Sequence, residues 1–157
     1  MKIDFPKLAI AILVSLSAGA IGSVFTFSAI GSWYAFLNKP AFAPPNWVFG
    51  PVWTTLYALM GIAAFLVWKS GWERKEVKVA LGVFGLQFFL NATWSIVFFG
   101  LQSPGWALVN IIALWIAIVW TIIVFYRISK PAAYLILPYI FWVSFASYLN
   151  YSIWMLN

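Results

Sequence analysis

Five apolar runs, each long enough to cross a bilayer, take up most of this 157-residue chain. A crossing helix needs about 20 predominantly apolar residues, and the runs fall at about 8–30, 48–68, 79–100, 107–126 and 132–155. A soluble domain carries roughly 25% charged residues to dress its surface for water. Here 8% are charged and 65% are hydrophobic. The expected fold is an all-α integral membrane protein, a single five-transmembrane-helix domain with a structured loop between its first two helices. Breakers fall between the runs: Gly31-Ser32, Pro44-Pro45, Ser103-Pro104-Gly105 and Ser129-Lys130-Pro131. Pro51 suits the first turn of the second helix, and Pro138, inside the fifth run, predicts a kink.

Charge placement gives a direction. Lys2 and Lys7, then Lys69, Arg74, Lys75 and Lys78, then Arg127 and Lys130 fall on one side, with only Lys39 on the other. The positive-inside rule puts the N-terminus in the cytoplasm and the C-terminus outside, for a bacterial-type plasma membrane. The net charge of +6 is thus a topology signal, and no nucleic-acid partner is expected. The basic start and the small residues Ala18-Gly19-Ala20 also suit a signal peptide. The apolar run continues to Ile30, longer than a usual signal core, so a retained helix is the expectation. Ala11, Ser15, Gly19 and Ser23 form a small-residue stripe on that helix, suited to a close neighbour in the bundle or to a dimer seam.

Several chemistries are excluded. The chain has no Cys and no His, which removes disulfides, thiol nucleophiles, the commonest metal ligand and the usual neutral-pH base. No metal site or cofactor is expected. Asp4, Glu73 and Glu76 are the only carboxylates, and no run carries a charge at mid-membrane, where proton-coupled transporters keep their relays. Passive carriage of an apolar ligand stays open.

Uncharged polar groups and aromatics converge instead. Gln87, Asn91, Trp94 and Phe98 share one face of the third run. Pro138, Trp142, Ala146 and Asn150 share a face of the fifth, and Trp53 and Tyr57 lie one turn apart on the second. A side-chain amide in lipid is costly unless partnered, so Gln87, Asn91 and Asn150 should point inward. At about 1.5 Å per residue, Trp53, Asn91, Trp94, Trp142 and Ala146 fall at compatible depths. Above them runs the loop 32–47, rich in aromatics and stiffened by Pro40, Pro44 and Pro45, which reads as a lid. Of eleven tryptophans, Trp33, Trp47, Trp68, Trp72, Trp106 and Trp154 suit an interfacial belt. Trp115 and Trp120 suit lipid or packing contacts. Trp53, Trp94 and Trp142 are set apart beside the amides, as a cavity for a flat aromatic ligand requires.

These segments resemble the translocator protein family, also called TspO, the tryptophan-rich sensory proteins or the peripheral benzodiazepine receptors. The matching stretches are Trp33-Tyr34, Lys39-Pro40 and Pro44-Pro45; Trp53, Tyr57 and Met60-Gly61; Gln87, Leu90-Asn91, Trp94-Ser95 and Phe98-Phe99; and Leu137-Pro138-Tyr139, Trp142, Phe145-Ala146 and Leu149-Asn150. The resemblance implies a five-helix bundle, commonly a homodimer, that binds porphyrins such as protoporphyrin IX and isoquinoline- or benzodiazepine-type drugs. Carried over, it makes Tyr34, Pro44, Trp53, Asn91, Trp94, Trp142 and Ala146 the lining of that site. Tyr57 and Gln87 join them as candidates from the helix faces, and Lys39 is placed to pair with a propionate. Light-dependent porphyrin breakdown, reported for some bacterial members, would rest on Trp53 and Trp142. The sterol motif of animal members lacks its basic residue in the tail 146–157, so sterol is a doubtful partner. The leading expectation is a tetrapyrrole receptor acting as sensor, scavenger or passive carrier. The alternatives are a light-dependent enzyme and a structural protein with no ligand.

Overall fold

A computed structural model describes residues 4–157; Lys2 lies outside the described residues. Five long helices, α1 (Phe5–Ile30), α3 (Phe49–Trp68), α4 (Lys75–Ser95), α5 (Pro104–Tyr126) and α6 (Lys130–Leu156), account for the five apolar runs. A short helix α2 (Trp33–Phe36) and a single 3₁₀ turn (Asn46–Val48) lie in the first loop. All five spans are long and apolar enough to cross a membrane, and the chain is a multi-pass integral membrane protein.

The helix ends follow from local chemistry. Asp4 caps α1, its carboxylate accepting the Lys7 backbone N–H at 3.2 Å and pairing with the Lys7 ammonium at 3.1 Å. Pro104 and Pro131 sit in the first turns of α5 and α6, where a missing N–H leaves nothing unbonded. Gly71, at φ 122°, makes the reversal between α3 and α4. Pro138 sits inside α6, and the helix continues on both sides of it. α4 does not end simply. It passes into a π-helical turn, Ile96–Gly100, where Leu101 N–H reaches back to Ile96 O at 2.8 Å. A π turn winds in an extra residue, which lets the consecutive Phe98 and Phe99 both stay buried.

The core lies between α3, α5 and α6 with one face of α4: Met60, Val77, Ile118, Ile136 and Val143 are fully or almost fully enclosed. α1 is the least buried span. It is held against α3 by small residues: a Cβ at Gly61 would come within 2.7 Å of Ile12 Cα. Ser15, buried, donates from its hydroxyl to Tyr57 O at 2.7 Å. Gly19 lies against the Tyr57 ring. Ala11, Ser15 and Gly19 of the small-residue stripe thus serve a neighbour within the bundle, while Ser23 bonds only to its own helix.

Outward faces are apolar. Phe89, Ile116, Trp120 and Phe141 are exposed on the surface that lipid covers. Trp115, also exposed, donates its indole N–H to Ser144 Oγ at 2.9 Å. At the end of the bundle that carries most of the basic residues, Lys7 lies over the Trp68 ring and Lys78 over Trp72.

Candidate functional site

Amides inside the bundle need partners, and each finds a different one. Asn91, buried on α4, accepts from the Tyr57 hydroxyl through its Oδ1 and donates through Nδ2 to the Tyr139 hydroxyl at 2.8 Å. One side chain thus ties α3, α4 and α6 together at a single level. Asn150, on α6, accepts the Trp94 indole N–H at 3.0 Å and donates to Pro104 O at 2.8 Å. That second knot joins α4, α6 and the start of α5. Gln87, one turn deeper than Asn91, meets Met60 Sδ at 3.9 Å, and its Oε1 has no partner among the described residues.

Between the Asn150 knot and the first loop lies a small cavity of about 30 Å³. Trp53 and Phe49 of α3 and Trp142, Ala146 and Leu149 of α6 line it, Phe49 and Trp142 being in edge contact. Trp94 with Phe98 and Phe99 closes the α4 side, and Tyr34 of α2 and Ile30 of α1 complete the lining at the loop end. Trp94 stacks on Phe98, centroids 5.2 Å apart, and Trp53 stacks on Tyr57 at 5.6 Å. Phe49 and Phe145 each meet the Trp142 ring, at 6.0 and 5.4 Å. The rings are therefore held in fixed orientations by neighbouring rings. The Trp142 indole N–H is buried without an acceptor among the described residues. A buried donor without a partner is costly; an acceptor on a bound molecule would satisfy it.

The loop over this cavity is ordered by contacts of its own. Lys39 curls back over α2, donating to the carbonyls of Tyr34 at 2.8 Å and Leu37 at 3.2 Å, with its ammonium 4.8 Å from the Tyr34 ring centroid. Tyr34 is thereby pinned in the buried position that lines the cavity, and burial raises its phenol above the ordinary value of 10. Asn38 and Asn157 form a reciprocal clasp. Asn38 N–H donates to Asn157 Oδ1 at 3.0 Å, and Asn157 Nδ2 donates to Asn38 O at 3.0 Å. Phe42 stacks on Tyr148 of α6, centroids 5.1 Å apart and nearly parallel at 13°.

Of the ten residues singled out in the sequence, Tyr34, Trp53, Trp94, Trp142 and Ala146 meet on the cavity wall. Tyr57 lies behind Trp53 and lines an adjoining groove. Asn91 and Gln87 are buried off the cavity lining: the Asn91 amide is taken by Tyr57 and Tyr139, and Gln87 meets Met60 Sδ. Lys39 and Pro44 belong to the loop but not to the lining; the Lys39 ammonium is held by carbonyls of its own segment. Sequence reasoning did not single out Ile30, Phe49, Leu149 or Ile153. Apolar residues at span ends carry no signal that separates a cavity wall from lipid contact.

Fold and site together define a five-span membrane protein with an aromatic cavity under a fastened loop. The sequence profile of the TspO/MBR family matches residues 11–155. The chain is 49% identical over 150 residues to the tryptophan-rich protein TspO of Chlorobaculum tepidum, covering 96% of this chain and 95% of that protein. It is 43% identical over 139 residues to the human translocator protein, covering 87% and 82% respectively. The tryptophan-rich sensory protein of Cereibacter sphaeroides is 35% identical over 125 residues, covering 80% and 77%. This chain belongs to the TspO/MBR family.

Proposed function

We propose that this protein is a membrane receptor for flat aromatic ligands, tetrapyrroles such as protoporphyrin IX foremost, acting as sensor, scavenger or passive carrier. The observation that carries the reading is the indole-walled cavity itself: Trp53, Trp94 and Trp142 surround one apolar space beneath the loop. Ring stacking contributes about 0.5–1.5 kcal/mol per pair beyond area burial, so a large flat π-system gains from every wall. The unpartnered Trp142 N–H supplies one directional contact for a carbonyl or carboxylate. Isoquinoline- or benzodiazepine-type molecules meet the same requirements. A homodimer and a cytoplasmic N-terminus, expected from the family resemblance and the charge bias, complete the proposal.

Titrating the protein in detergent with protoporphyrin IX, haem and a sterol, while following tryptophan emission, tests this reading. The two tetrapyrroles are expected to quench saturably and the sterol to leave emission unchanged. A ligand at 100 times its Kd also stabilises the fold by about 2.7 kcal/mol. No quenching and no thermal shift at saturating porphyrin would favour a structural protein without a ligand.

A second reading, light-dependent porphyrin breakdown, is favoured by the stacked Trp53–Tyr57 pair on the cavity wall. A stacked indole and phenol put an oxidisable pair beside the bound porphyrin, whose own light absorption supplies the driving force and dissolved dioxygen the oxidant. Porphyrin absorbance should then fall in the light and not in the dark, and Trp142→Phe should abolish the product. Equal loss in light and dark contradicts the reading.

A further inference from the structure

A second space lies against the cavity wall. A groove of about 330 Å³ runs between the loop-side half of α1 and the first turns of α3. It shares Ile30, Phe49, Trp53, Trp94 and Phe99 with the cavity wall, so these side chains stand between the two spaces. The helices that flank it are pressed together at the other end, where Gly61 admits the α1 backbone and Ser15 bonds to Tyr57 O. Towards the loop they part. A side chain at Gly50, on the α3 wall, would meet nothing within 4 Å.

The groove surface suits an apolar traveller. Among the described residues no charged side chain lines it, and three of its hydroxyls bond back to their own helices: Ser23 to Ala20 O at 2.7 Å, Thr26 to Gly22 O at 3.1 Å and Thr54 to Gly50 O at 2.9 Å. These groups therefore demand no partner from whatever passes. The loop side differs. There the Asn38–Asn157 clasp and the Phe42–Tyr148 stack fasten the loop to α6. The fastening is on the α6 flank, away from the groove.

From these placements we propose that the ligand reaches the cavity sideways from the bilayer, through the gap between α1 and α3, while the loop stays closed. The proposal rests on the receptor reading above. It makes the hydrocarbon region the source of ligand, as expected for a molecule that partitions into lipid, and it makes the groove residues control rates rather than affinity.

The test uses the full chain in lipid nanodiscs, with protoporphyrin IX as probe and stopped-flow tryptophan quenching as readout. Ser23→Phe on the α1 wall and Gly50→Phe on the α3 wall plug the groove without touching the cavity, and each backs up the other if one fails to insert. Each plug is expected to slow association and dissociation together, by about tenfold or more, with Kd held within about twofold. The chain has no cysteine, so an Asn38→Cys/Asn157→Cys pair, oxidised, locks the loop selectively. That lock should leave both rates at the wild-type value. Plugged variants with wild-type rates, or a locked loop that stops association, would overturn the lateral route while leaving the receptor reading intact. Wild-type protein without saturable quenching would overturn the receptor reading and the route with it.

Discussion

At the scale of single residues, the structure separates two kinds of polar side chain that the sequence presents alike. Asn91 and Trp94 lie on one helix face, yet Asn91 is committed to Tyr57 and Tyr139 while Trp94 reaches the cavity. Helical spacing identifies an inward face; it does not say whether the inward group meets a partner or a space. Asn91→Leu should therefore lower stability by about 0.6–1.7 kcal/mol, the range for polar contacts between membrane helices, and leave porphyrin affinity nearly unchanged. Thermal unfolding in detergent with a parallel titration checks both halves. Tyr34 makes the opposite case, since it lines the cavity from outside the spans. Burial raises its pKa, so its neutral form is the one the folded loop prefers. That contribution is fully present below the ordinary value of about 10 and fades as pH rises through the higher folded value. Binding of an uncharged isoquinoline-type ligand should accordingly be flat between about pH 6 and 8 and weaken only in strong alkali.

At the scale of elements, the spans were legible because hydropathy and length decide them, and Pro and Gly fall between them. The π turn at Ile96–Gly100 was not. Nothing in Ile-Val-Phe-Phe-Gly distinguishes an extra residue per turn from ordinary helix, although that turn places Phe98 and Phe99 on the cavity wall. The seam between α1 and α3 was half legible. Ala11, Ser15 and Gly19 announced a close approach, but Gly61, which receives the α1 backbone, was legible only as part of the Met60-Gly61 family stretch. Gly61→Leu should drive the helices apart, because its Cβ would lie 2.7 Å from Ile12 Cα. Overpacking of this kind costs about 1–3 kcal/mol, measurable as a lower thermal midpoint. The loop is the other such element. Removing its clasp with Asn157→Ala should raise amide hydrogen exchange at Asn38 and Ala43 without altering exchange in the core of α6.

At the scale of the whole molecule, the charges and the tryptophans sort independently. Most cations collect at one end, several resting on aromatic rings there. Lys39, the one at the other end among the described residues, holds α2 in place. None enters the spans near mid-membrane, so ligand movement in proteoliposomes should not respond to an imposed proton gradient or membrane potential. The tryptophans include exposed rings such as Trp47, Trp106 and Trp120 and three half-buried ones, Trp53, Trp94 and Trp142, that line the cavity. That division is the central claim, and a tryptophan-by-tryptophan titration reaches it most directly. Protoporphyrin IX is titrated into Trp53→Ala, Trp142→Ala and, as an exposed control, Trp120→Ala. The cavity variants should each lose about tenfold or more in affinity, some 1.4 kcal/mol, with Trp120→Ala binding as wild type. Unchanged affinity in both cavity variants, or an equal loss in all three, would contradict the account.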